Sequence, residues 1–304
     1  MNLLITGAAG FIGSALTTAL RTAGHTVTAL DDLSVHSPRP HPDHLLQRDV
    51  RTLTAGDLDG FHTVIHLAAH KSVPRSFEVG GFEHNTAADR HLIHTFATSG
   101  ADRLLLASSC EVYGDQRGPL AESAPHRPRS PYAAGKATTE HLADIYRPQL
   151  GPGRQIGVAR FFNTYGPWED PDAVVPAFID AALADRPLTI EGTGTQARDL
   201  THIDTTTAML GRILDADQLL PVVNIGSGQA TTVLDLARAV IRATGRGTIT
   251  HVPPRPNEIR SFTADTSLFT ATYGPLPRQR PLPELLAETA RLRALSWTPA
   301  GAAR

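Results

Sequence analysis

The stretch TGAAGFIG, residues 6–13, decides the fold. It follows a short β-type run, Asn2–Thr6, and an apolar pattern with helical spacing comes directly after it. A strand, a glycine turn and a helix in this order are typical of a dinucleotide site. Gly7 permits the sharp turn, Gly10 lets the backbone approach a pyrophosphate, and Gly13 lets the helix pack closely on the strand. The N-terminus of the helix then offers free N–H groups to the phosphates.

A carboxylate at the end of the next strand indicates which dinucleotide binds. The strand-like segment Thr26–Leu30 ends at Asp31, close to the spacing at which an acid binds the hydroxyls of the adenosine ribose. Such a carboxylate accepts NAD and repels the 2′-phosphate of NADP. We therefore expect NAD.

The following pattern predicts a doubly wound α/β sheet. The strand-like segments Thr63–Leu67 and Arg103–Ala107 are separated by a helix-like segment, Gly80–Ser99. Such alternation favours parallel strands with helices on both faces, and ligands bind such sheets beyond the carboxyl ends of the strands. Because Ser108–Glu111 stands at a strand end, we expect its polar side chains to face a site rather than the core.

Composition argues against several classes of partner. The chain has 304 residues, 41% of them hydrophobic, and a formal net charge of −2, which gives no reason to expect nucleic acid or an anionic membrane. A single Cys excludes an internal disulfide and fits a cytoplasmic location. We expect no metal, since the histidines at His66, His70, His84, His91 and His94 lack a ligand pattern such as His-Glu-x-x-His.

A tyrosine and a lysine indicate catalysis. Tyr132 and Lys136 are four residues apart on a helix predicted to begin near Pro131, so they share one face. An ammonium beside the phenol should lower the pKa of Tyr132, and a phenolate can take a proton from a sugar hydroxyl while hydride leaves the same carbon. Alone, such a pair is most often a solvated contact; with the glycine stretch, Asp31 and Ser109, it predicts a catalytic centre.

Stretches along nearly the whole chain resemble the extended short-chain dehydrogenase/reductases that act on nucleotide sugars. They are TGAAGFIG, HLAAHKSVPRS, SSCEVYG, SPYAAGK, RFFNTYGP, GTGTQARDLTHID and PRPNE. The resemblance implies a Rossmann-type NAD-binding domain at 1–162, with part of 198–226 packing back onto it, and a smaller α/β nucleotide-sugar-binding domain at 163–304. It also implies a homodimer in which helices Gly81–Ser99 and Ser130–Arg147 pair with their twins.

The same resemblance assigns roles to residues. It makes Tyr132 the base, Lys136 the residue that orients the nicotinamide ribose, and Ser109 the group that binds the sugar O4. The expected contacts of NAD are Gly7, Gly10, Phe11, Ile12, Gly13, Asp31, Asp32, Leu33, Asp49, Val50, Leu67, Ala68, Ala69, Ser108, Tyr132, Lys136 and Phe161. The expected contacts of the substrate are Lys71, Ser72, Arg75, Asn163, Val174, Arg198, Arg255 and Glu258. For the first three of these, an ordinary basic loop is the alternative.

The pair Cys110-Glu111 narrows the reaction. Epimerases of this family usually carry small residues here, whereas the 4,6-dehydratases carry Asp-Glu. Once C4 of the sugar is a ketone, the C5 proton is acidic, and Glu111 can remove it. Loss of the C6 hydroxyl then needs a neighbouring acid, and a free Cys, with a pKa of about 8.5, is mostly protonated at neutral pH. A packing role for Cys110 and a salt bridge for Glu111 are the alternatives.

We therefore predict an NAD-dependent dehydratase, a lyase, that acts on a UDP-sugar, with UDP-GlcNAc favoured. Several stretches most resemble the UDP-GlcNAc 5,6-dehydratases of antibiotic biosynthesis, which carry the same Cys-Glu pair. In that reaction C4 is oxidised transiently, water leaves across C5–C6 and hydride returns to C4. The return of hydride to C4 is implied by the resemblance alone.

Other functions use parts of the same pattern. A 4,6-dehydratase would deliver the hydride to C6, and a UDP-sugar 4-epimerase would leave Glu111 idle. A uronate decarboxylase is disfavoured, because the loop YGPWEDPD has acidic residues where enzymes that act on uronates can carry arginines. A catalytically silent NAD-sensing module is the alternative from another class, and intact Ser109, Tyr132 and Lys136 argue against it.

Overall fold

The glycine stretch joins a strand to a helix, as the sequence predicts. The computed structural model describes residues 1–35, 37, 40–78, 80–254 and 259–296. The first half contains β1 (Asn2–Thr6), α1 (Phe11–Thr22), β2 (Thr26–Asp31), β3 (Leu45–Gln47), α2 (Ala55–Leu58), β4 (Thr63–His66), α3 (Gly81–Thr98), β5 (Arg103–Ser109), α4 (Pro131–Tyr146) and β6 (Gln155–Phe161). The second half contains β7 (Asn163–Tyr165), α5 (Val174–Leu183), β8 (Leu188–Glu191), β9 (Ala197–His202), α6 (Ile203–Asp215), β10 (Val223–Ile225), β11 (Ala230–Thr232), α7 (Val233–Thr244), β12 (Ile249–Val252), α8 (Ser267–Tyr273) and α9 (Leu282–Ser296).

The main sheet is parallel and doubly wound, which confirms the predicted fold class. Its seven strands lie in the order β10-β6-β5-β4-β1-β2-β3. Leu3 of β1 lies opposite Val27 of β2 on one side and Thr63 of β4 on the other. The strand order reverses between β1 and β4, and a sheet of this kind opens a crevice for a dinucleotide at that point.

Apolar side chains fill both faces of this sheet. Alternate residues of a strand point to opposite faces, so Leu3 and Leu105 enter one apolar cluster with residues of α1 and α6, while Leu4 and Leu104 enter another with residues of α3 and α4. Strands buried on both faces read as near-continuous apolar runs, and this is how β4 and β5 appear in the sequence.

The second half of the chain contributes to two structures. Strands β7, β9 and β11 form a separate three-stranded sheet, and β8 pairs with β12. A further apolar cluster joins these strands to α5, α7 and α9. Strand β10 instead joins the main sheet along Ala159–Phe161 of β6, and α6 packs on α1.

The helix that carries the predicted Tyr–Lys pair begins where the sequence indicates. The Ser130 hydroxyl accepts a hydrogen bond from the Ala133 N–H at 3.1 Å, and Pro131 occupies the first turn. Both are favoured at a helix start, since the hydroxyl satisfies an otherwise unpaired N–H and proline lacks one. No helix among the described residues is long and apolar enough to cross a membrane.

Candidate active site

The glycine turn forms a cradle that a side chain would fill. Gly7 has a φ of +72°, and a Cβ placed on it would lie 2.5 Å from the main-chain nitrogen of Ala68. A Cβ on Gly13 would lie 2.0 Å from the carbonyl oxygen of Gly7. Gly10 begins α1 without a side-chain cap, so the first-turn N–H groups, including those of Phe11 and Ile12, face outward from the helix end. This geometry fits a dinucleotide pyrophosphate at the helix N-terminus.

Asp31 ties the end of β2 to this cradle. Its Oδ2 accepts a hydrogen bond from the Ala9 N–H at 3.0 Å, and its Oδ1 accepts one from the Leu33 N–H at 2.9 Å. A carboxylate oxygen has two acceptor sites, so Asp31 retains capacity for the hydroxyls of a ribose. The neighbouring Asp32 carboxylate accepts from the N–H and the hydroxyl of Ser34.

The other expected NAD contacts stand along one edge of the sheet. Because the strands are parallel, Asp49 after β3, Leu67-Ala68-Ala69 after β4 and Phe161 at the end of β6 all lie at the carboxyl edge. The Asp49 carboxylate caps a short 3-10 helix and pairs with Arg51 at 2.6 Å, a contact that holds the pKa of Asp49 low. Val50, the next residue, is buried.

Ser109 is the centre of the candidate catalytic cluster. Strand β5 extends to this residue, two residues beyond its predicted end, and a short 3-10 helix, Cys110–Tyr113, follows it. The Ser109 hydroxyl accepts a hydrogen bond from the Glu111 N–H at 3.2 Å and is also hydrogen-bonded to the side chains of Tyr132 and Cys110. The Ser109 hydroxyl is thus bonded to the phenol of Tyr132, the thiol of Cys110 and the main chain of Glu111.

The acidity of Tyr132 differs from the expectation. We predicted that Lys136 lowers the pKa of Tyr132, but burial raises that pKa above its ordinary value. Ser109 opposes the rise, whereas Glu111, Cys110 and Asp89 add to it. The predicted lowering is not found, because burial outweighs it. The Lys136 ammonium is paired with the Asp89 carboxylate, at 3.5 Å from Nζ to Oδ2.

Cys110 is buried and protonated. Only 4% of its surface is exposed, and burial raises the pKa of the thiol well above its ordinary value, with Glu111 adding to the rise. The side chain also belongs to an apolar cluster with Val112 and Phe162. Burial of this kind suits packing, and it also keeps on the sulfur the proton that an acid must donate.

Ser108 does not join the cluster, and the expectation that the strand end presents Ser108–Glu111 to one site is wrong for this residue. Its hydroxyl donates to the Glu140 carboxylate, which also receives Arg160 at 2.6 Å. Successive residues of a strand point to opposite faces, so Ser108 and Ser109 diverge. Burial would raise the pKa of Glu140, but His126, Arg160 and Ser108 outweigh burial and hold it at about 2.

A buried polar network beneath Lys136 was missed by the sequence analysis. Asp89 of α3 is fully buried, and its Oδ1 lies 2.9 Å from the Nε2 of His66. Its Oδ2 accepts from the Thr139 hydroxyl and faces the Lys136 ammonium. The Nδ1 of His66 lies 2.6 Å from the Thr6 hydroxyl. These side chains connect the ends of β1 and β4 to the helix that carries Tyr132.

Of the expected substrate residues of the second half, Arg198 lies near the same cluster. Asn163 begins β7, and its Oδ1 is buried with no hydrogen-bond partner in the part of the chain that the structure describes. The Arg198 guanidinium of β9 donates to the carbonyl oxygens of Ala197 and Ile259, both at 2.9 Å, and acts to lower the pKa of Cys110. Val174 begins α5. Arg255 and Glu258 lie outside the described residues.

The basic loop after β4 faces the loop after β7. The Lys71 ammonium lies 5.9 Å from the centre of the Phe11 ring. Ser72 accepts a hydrogen bond from the Arg75 N–H, and the Arg75 guanidinium lies 3.7 Å from the Asp172 carboxylate. The loop therefore lies between the start of α1 and the 166–173 segment, beside the expected cofactor.

Comparison with known proteins identifies the family. The model of the NAD dependent epimerase/dehydratase family matches residues 3–226. The chain belongs to this family. The predicted family and the predicted cofactor, NAD, are thereby confirmed, and the chain is an enzyme of the NAD dependent epimerase/dehydratase type that acts on nucleotide sugars.

Individual relatives of the family point to more than one reaction. The structure of TunA, an NAD dependent NDP-hexosamine 5,6-dehydratase involved in tunicamycin biosynthesis, is 38% identical, covers 97% of this chain and 98% of its own, and has a TM-score of 0.90. The structure of MoeE5 with UDP-glucuronic acid and NAD is 33% identical, covers 98% and 100%, and has a TM-score of 0.87. An uncharacterized UDP-glucose epimerase of Bacillus subtilis, YtcB, is 32% identical over 83% of this chain and 84% of its own.

Proposed function

We propose that this enzyme is a nucleotide-sugar 5,6-dehydratase whose substrate is UDP-GlcNAc. The observation that carries the proposal is the placement of Glu111 and the protonated Cys110 around Ser109, whose hydroxyl is hydrogen-bonded to Tyr132. An oxidation at C4 needs only Ser109, Tyr132 and NAD. A carboxylate base beside a thiol acid is superfluous for an epimerase and suits elimination at C5–C6.

We also propose a division of labour along the chain. Residues 1–162, with part of 198–226, form the NAD-binding unit, and 163–304 form the nucleotide-sugar-binding unit. The addition of β10 to the main sheet and the packing of α6 on α1 support the first assignment. The carboxyl edge of the sheet then lies where both units can contribute side chains, as Ser109 and Arg198 do.

Tyr132 and Ser109 act on the C4 hydroxyl. The Ser109 hydroxyl, already bonded to Tyr132, positions the sugar oxygen, and Tyr132 takes its proton. NAD supplies the chemistry that the chain lacks, by accepting a hydride from C4 and giving it back. Lys136, on the same helix face, holds the nicotinamide ribose. With NAD bound, the positive charge of the nicotinamide near Tyr132 would favour the phenolate.

Glu111 and Cys110 complete the elimination. With a ketone at C4, the C5 proton becomes acidic and Glu111 removes it. The C6 hydroxyl leaves as water after it takes a proton from the Cys110 thiol, whose raised pKa keeps that proton available at neutral pH. Transfer of the proton from Glu111 to the Cys110 sulfur would restore both groups, so the net change is the loss of one water.

The loop after β7 carries a buried carboxyl group, that of Glu169. Burial raises the pKa of Glu169 to about 8, although Lys71 and Arg293 oppose the rise. Its Oε2 is buried with no partner among the described residues. Arg198 is our candidate for holding the diphosphate, and the buried, unpartnered Oδ1 of Asn163 can accept a hydrogen bond from a hydroxyl of the substrate.

Incubation with nucleotide sugars tests the proposed reaction. The holoenzyme should convert UDP-GlcNAc into a product lighter by one water, with an exocyclic double bond between C5 and C6 in its NMR spectrum. UDP-glucose serves as the matched substrate without the C2 acetamido group and should react more slowly. A product with the mass of UDP-GlcNAc and an inverted C4 would contradict the proposal and indicate an epimerase.

We propose a homodimer built on α3 and α4. These helices pack side by side on one face of the sheet, and Ile145 near the end of α4 is 57% exposed. Light scattering of the holoenzyme at micromolar concentration should give twice the chain mass of 32.5 kDa. Ile145→Arg should shift the mass toward the monomer, because it places a charge in an apolar contact. Leu268 on α8 is likewise an exposed apolar residue. Leu268→Arg is therefore the control and should leave the mass unchanged. A wild-type protein that is monomeric would contradict the proposal.

A further inference from the structure

The fully buried carboxylate of Asp89 has no part in the reaction described above. We propose that Asp89 is a positioning residue for the Tyr132–Lys136 pair. From beneath Lys136 it neutralises the ammonium and fixes its direction, so that Tyr132 keeps its proton until substrate and NAD are bound. The proposal rests on the role of Tyr132 as the base at C4, and it adds a residue that sets when this base becomes active.

The Asp89 carboxylate is held in place against the Lys136 ammonium. The ammonium is 3% exposed and faces the Oδ2 of Asp89 at 3.5 Å, so no bulk water screens the pair. The same Oδ2 accepts from the hydroxyl of Thr139, which lies three residues after Lys136 on α4. The carboxylate is therefore bonded to the helix that carries both catalytic side chains and cannot turn away from the ammonium.

The far side of the carboxylate is fixed by histidine. The Nε2 of His66 donates to Oδ1 at 2.9 Å, since an ionised carboxylate can only accept. The Nδ1 of the same ring lies 2.6 Å from the Thr6 hydroxyl. Burial would raise the pKa of Asp89, but Lys136, His66 and Thr139 together hold it at about 2. Asp89 is thus an anion at neutral pH.

The consequence for the phenol follows from the sum of nearby charges. An unopposed ammonium beside Tyr132 would favour the phenolate, whereas the carboxylate beneath it cancels that effect. Besides burial, Ser109 lowers the pKa of Tyr132, and Glu111, Cys110 and Asp89 raise it. Among the three that raise it, Asp89 is the one outside the 109–111 segment, so it can be changed without touching the residues that contact the substrate.

The test isolates C4 oxidation from the later steps. In a Glu111→Gln background the sugar should be oxidised at C4 and go no further, and the nicotinamide absorbance reports the rate in a single turnover. This rate should fall on the acidic side as Tyr132 takes up a proton. The acidic limb is the part of the pH–rate profile in which the rate falls as the pH is lowered. Adding Asp89→Asn should move this acidic limb to lower pH by roughly one unit, which raises the rate on the acidic side about tenfold.

Two further variants separate charge from shape. Thr139→Val keeps the Asp89 carboxylate and removes one hydrogen bond to it, so the limb should stay in place. Asp89→Ser is a smaller neutral substitution that leaves room for a water, and it should move the limb in the same direction as Asp89→Asn even if that variant fails to fold. Circular dichroism and the amount of NAD that each purified protein carries check that the fold and the cofactor site are intact.

The position of the acidic limb in each variant decides whether Asp89 acts through its charge. A limb that moves to lower pH with both neutral variants and stays with Thr139→Val supports the proposal. A limb that does not move, that moves to higher pH, or that moves equally with Thr139→Val overturns it. Failure of the 5,6-dehydratase proposal is seen separately, in the product of the wild-type enzyme, because C4 oxidation is common to epimerases and dehydratases. No C4 oxidation with any nucleotide sugar would overturn the role of Tyr132, and that of Asp89 with it.

Discussion

Glu111→Gln should lower the rate of dehydration by roughly a hundred- to ten-thousand-fold, the usual contribution of a positioned general base. The carboxamide keeps the shape of the side chain and the N–H bond to Ser109, but it cannot accept the C5 proton. Binding of NAD and of UDP-GlcNAc should therefore change little. The direct measurement is exchange of the C5 hydrogen with deuterated solvent, followed by NMR alongside product formation.

The neighbouring thiol provides a matched contrast to this experiment. Cys110→Ala should slow departure of the C6 hydroxyl more than C5 exchange, because removal of the C5 proton does not need the thiol. Cys110→Ser keeps a side chain of similar volume with a much weaker acid, and it should behave as the alanine variant does. If both steps slow equally, Cys110 acts through packing; if Glu111→Gln exchanges the C5 hydrogen at the wild-type rate, Glu111 is not the base.

Deuterium placed at C4 of UDP-GlcNAc should be found at C4 of the product, beside the C5–C6 double bond. Under the proposed roles, Tyr132 and Ser109 would serve oxidation at C4, and Glu111 with Cys110 would serve elimination, in a 5,6-dehydratase and a 4,6-dehydratase alike. Point substitutions therefore cannot separate the two reactions, whereas the label is transferred within the closed site and keeps a record of its destination. NMR of the isolated product gives an all-or-none result.

The position of the label also reveals the alternatives. Deuterium in a C6 methyl group, together with a ketone at C4, would show a 4,6-dehydratase. Deuterium at an inverted C4 with no loss of water would show a 4-epimerase. Substrate labelled at C3 serves as the control, because its deuterium should remain at C3 under the proposed reaction.

Local patterns in the sequence were sufficient to predict most of the fold. Strand, glycine turn and helix at 6–13 are set by steric demands on neighbouring residues, and the structure shows those demands at Gly7 and Gly13. The helix start at Ser130-Pro131 is likewise a property of adjacent residues. The addition of β10 to the edge of the main sheet was implied only by resemblance, since a three-residue strand has too short a pattern to indicate its partner.

Contacts between distant segments explain what the sequence analysis of the site missed. The ion pair of Lys136 with Asp89 and the bond of Ser108 to Glu140 join residues that no local spacing relates. One signal was present: Asp89 lies three and seven residues before the buried Leu92 and Phe96, on the core side of α3. An acid at such a position is rarely buried without a partner, and the search for that partner leads to Lys136.

The way β10 completes the main sheet has a consequence for biosynthesis. The ribosome releases β6 well before Val223–Ile225, by roughly 3–12 s at ordinary rates of elongation. During that interval the edge of β6 has unpaired main-chain groups beside apolar side chains. The face of α1 that packs on α6 in the folded protein is also uncovered. An uncovered apolar edge of this kind is a template for aggregation and a natural binding site for a chaperone. Nonsense mutations and fragments that end between residues 161 and 222 should therefore be insoluble, however complete their NAD site is.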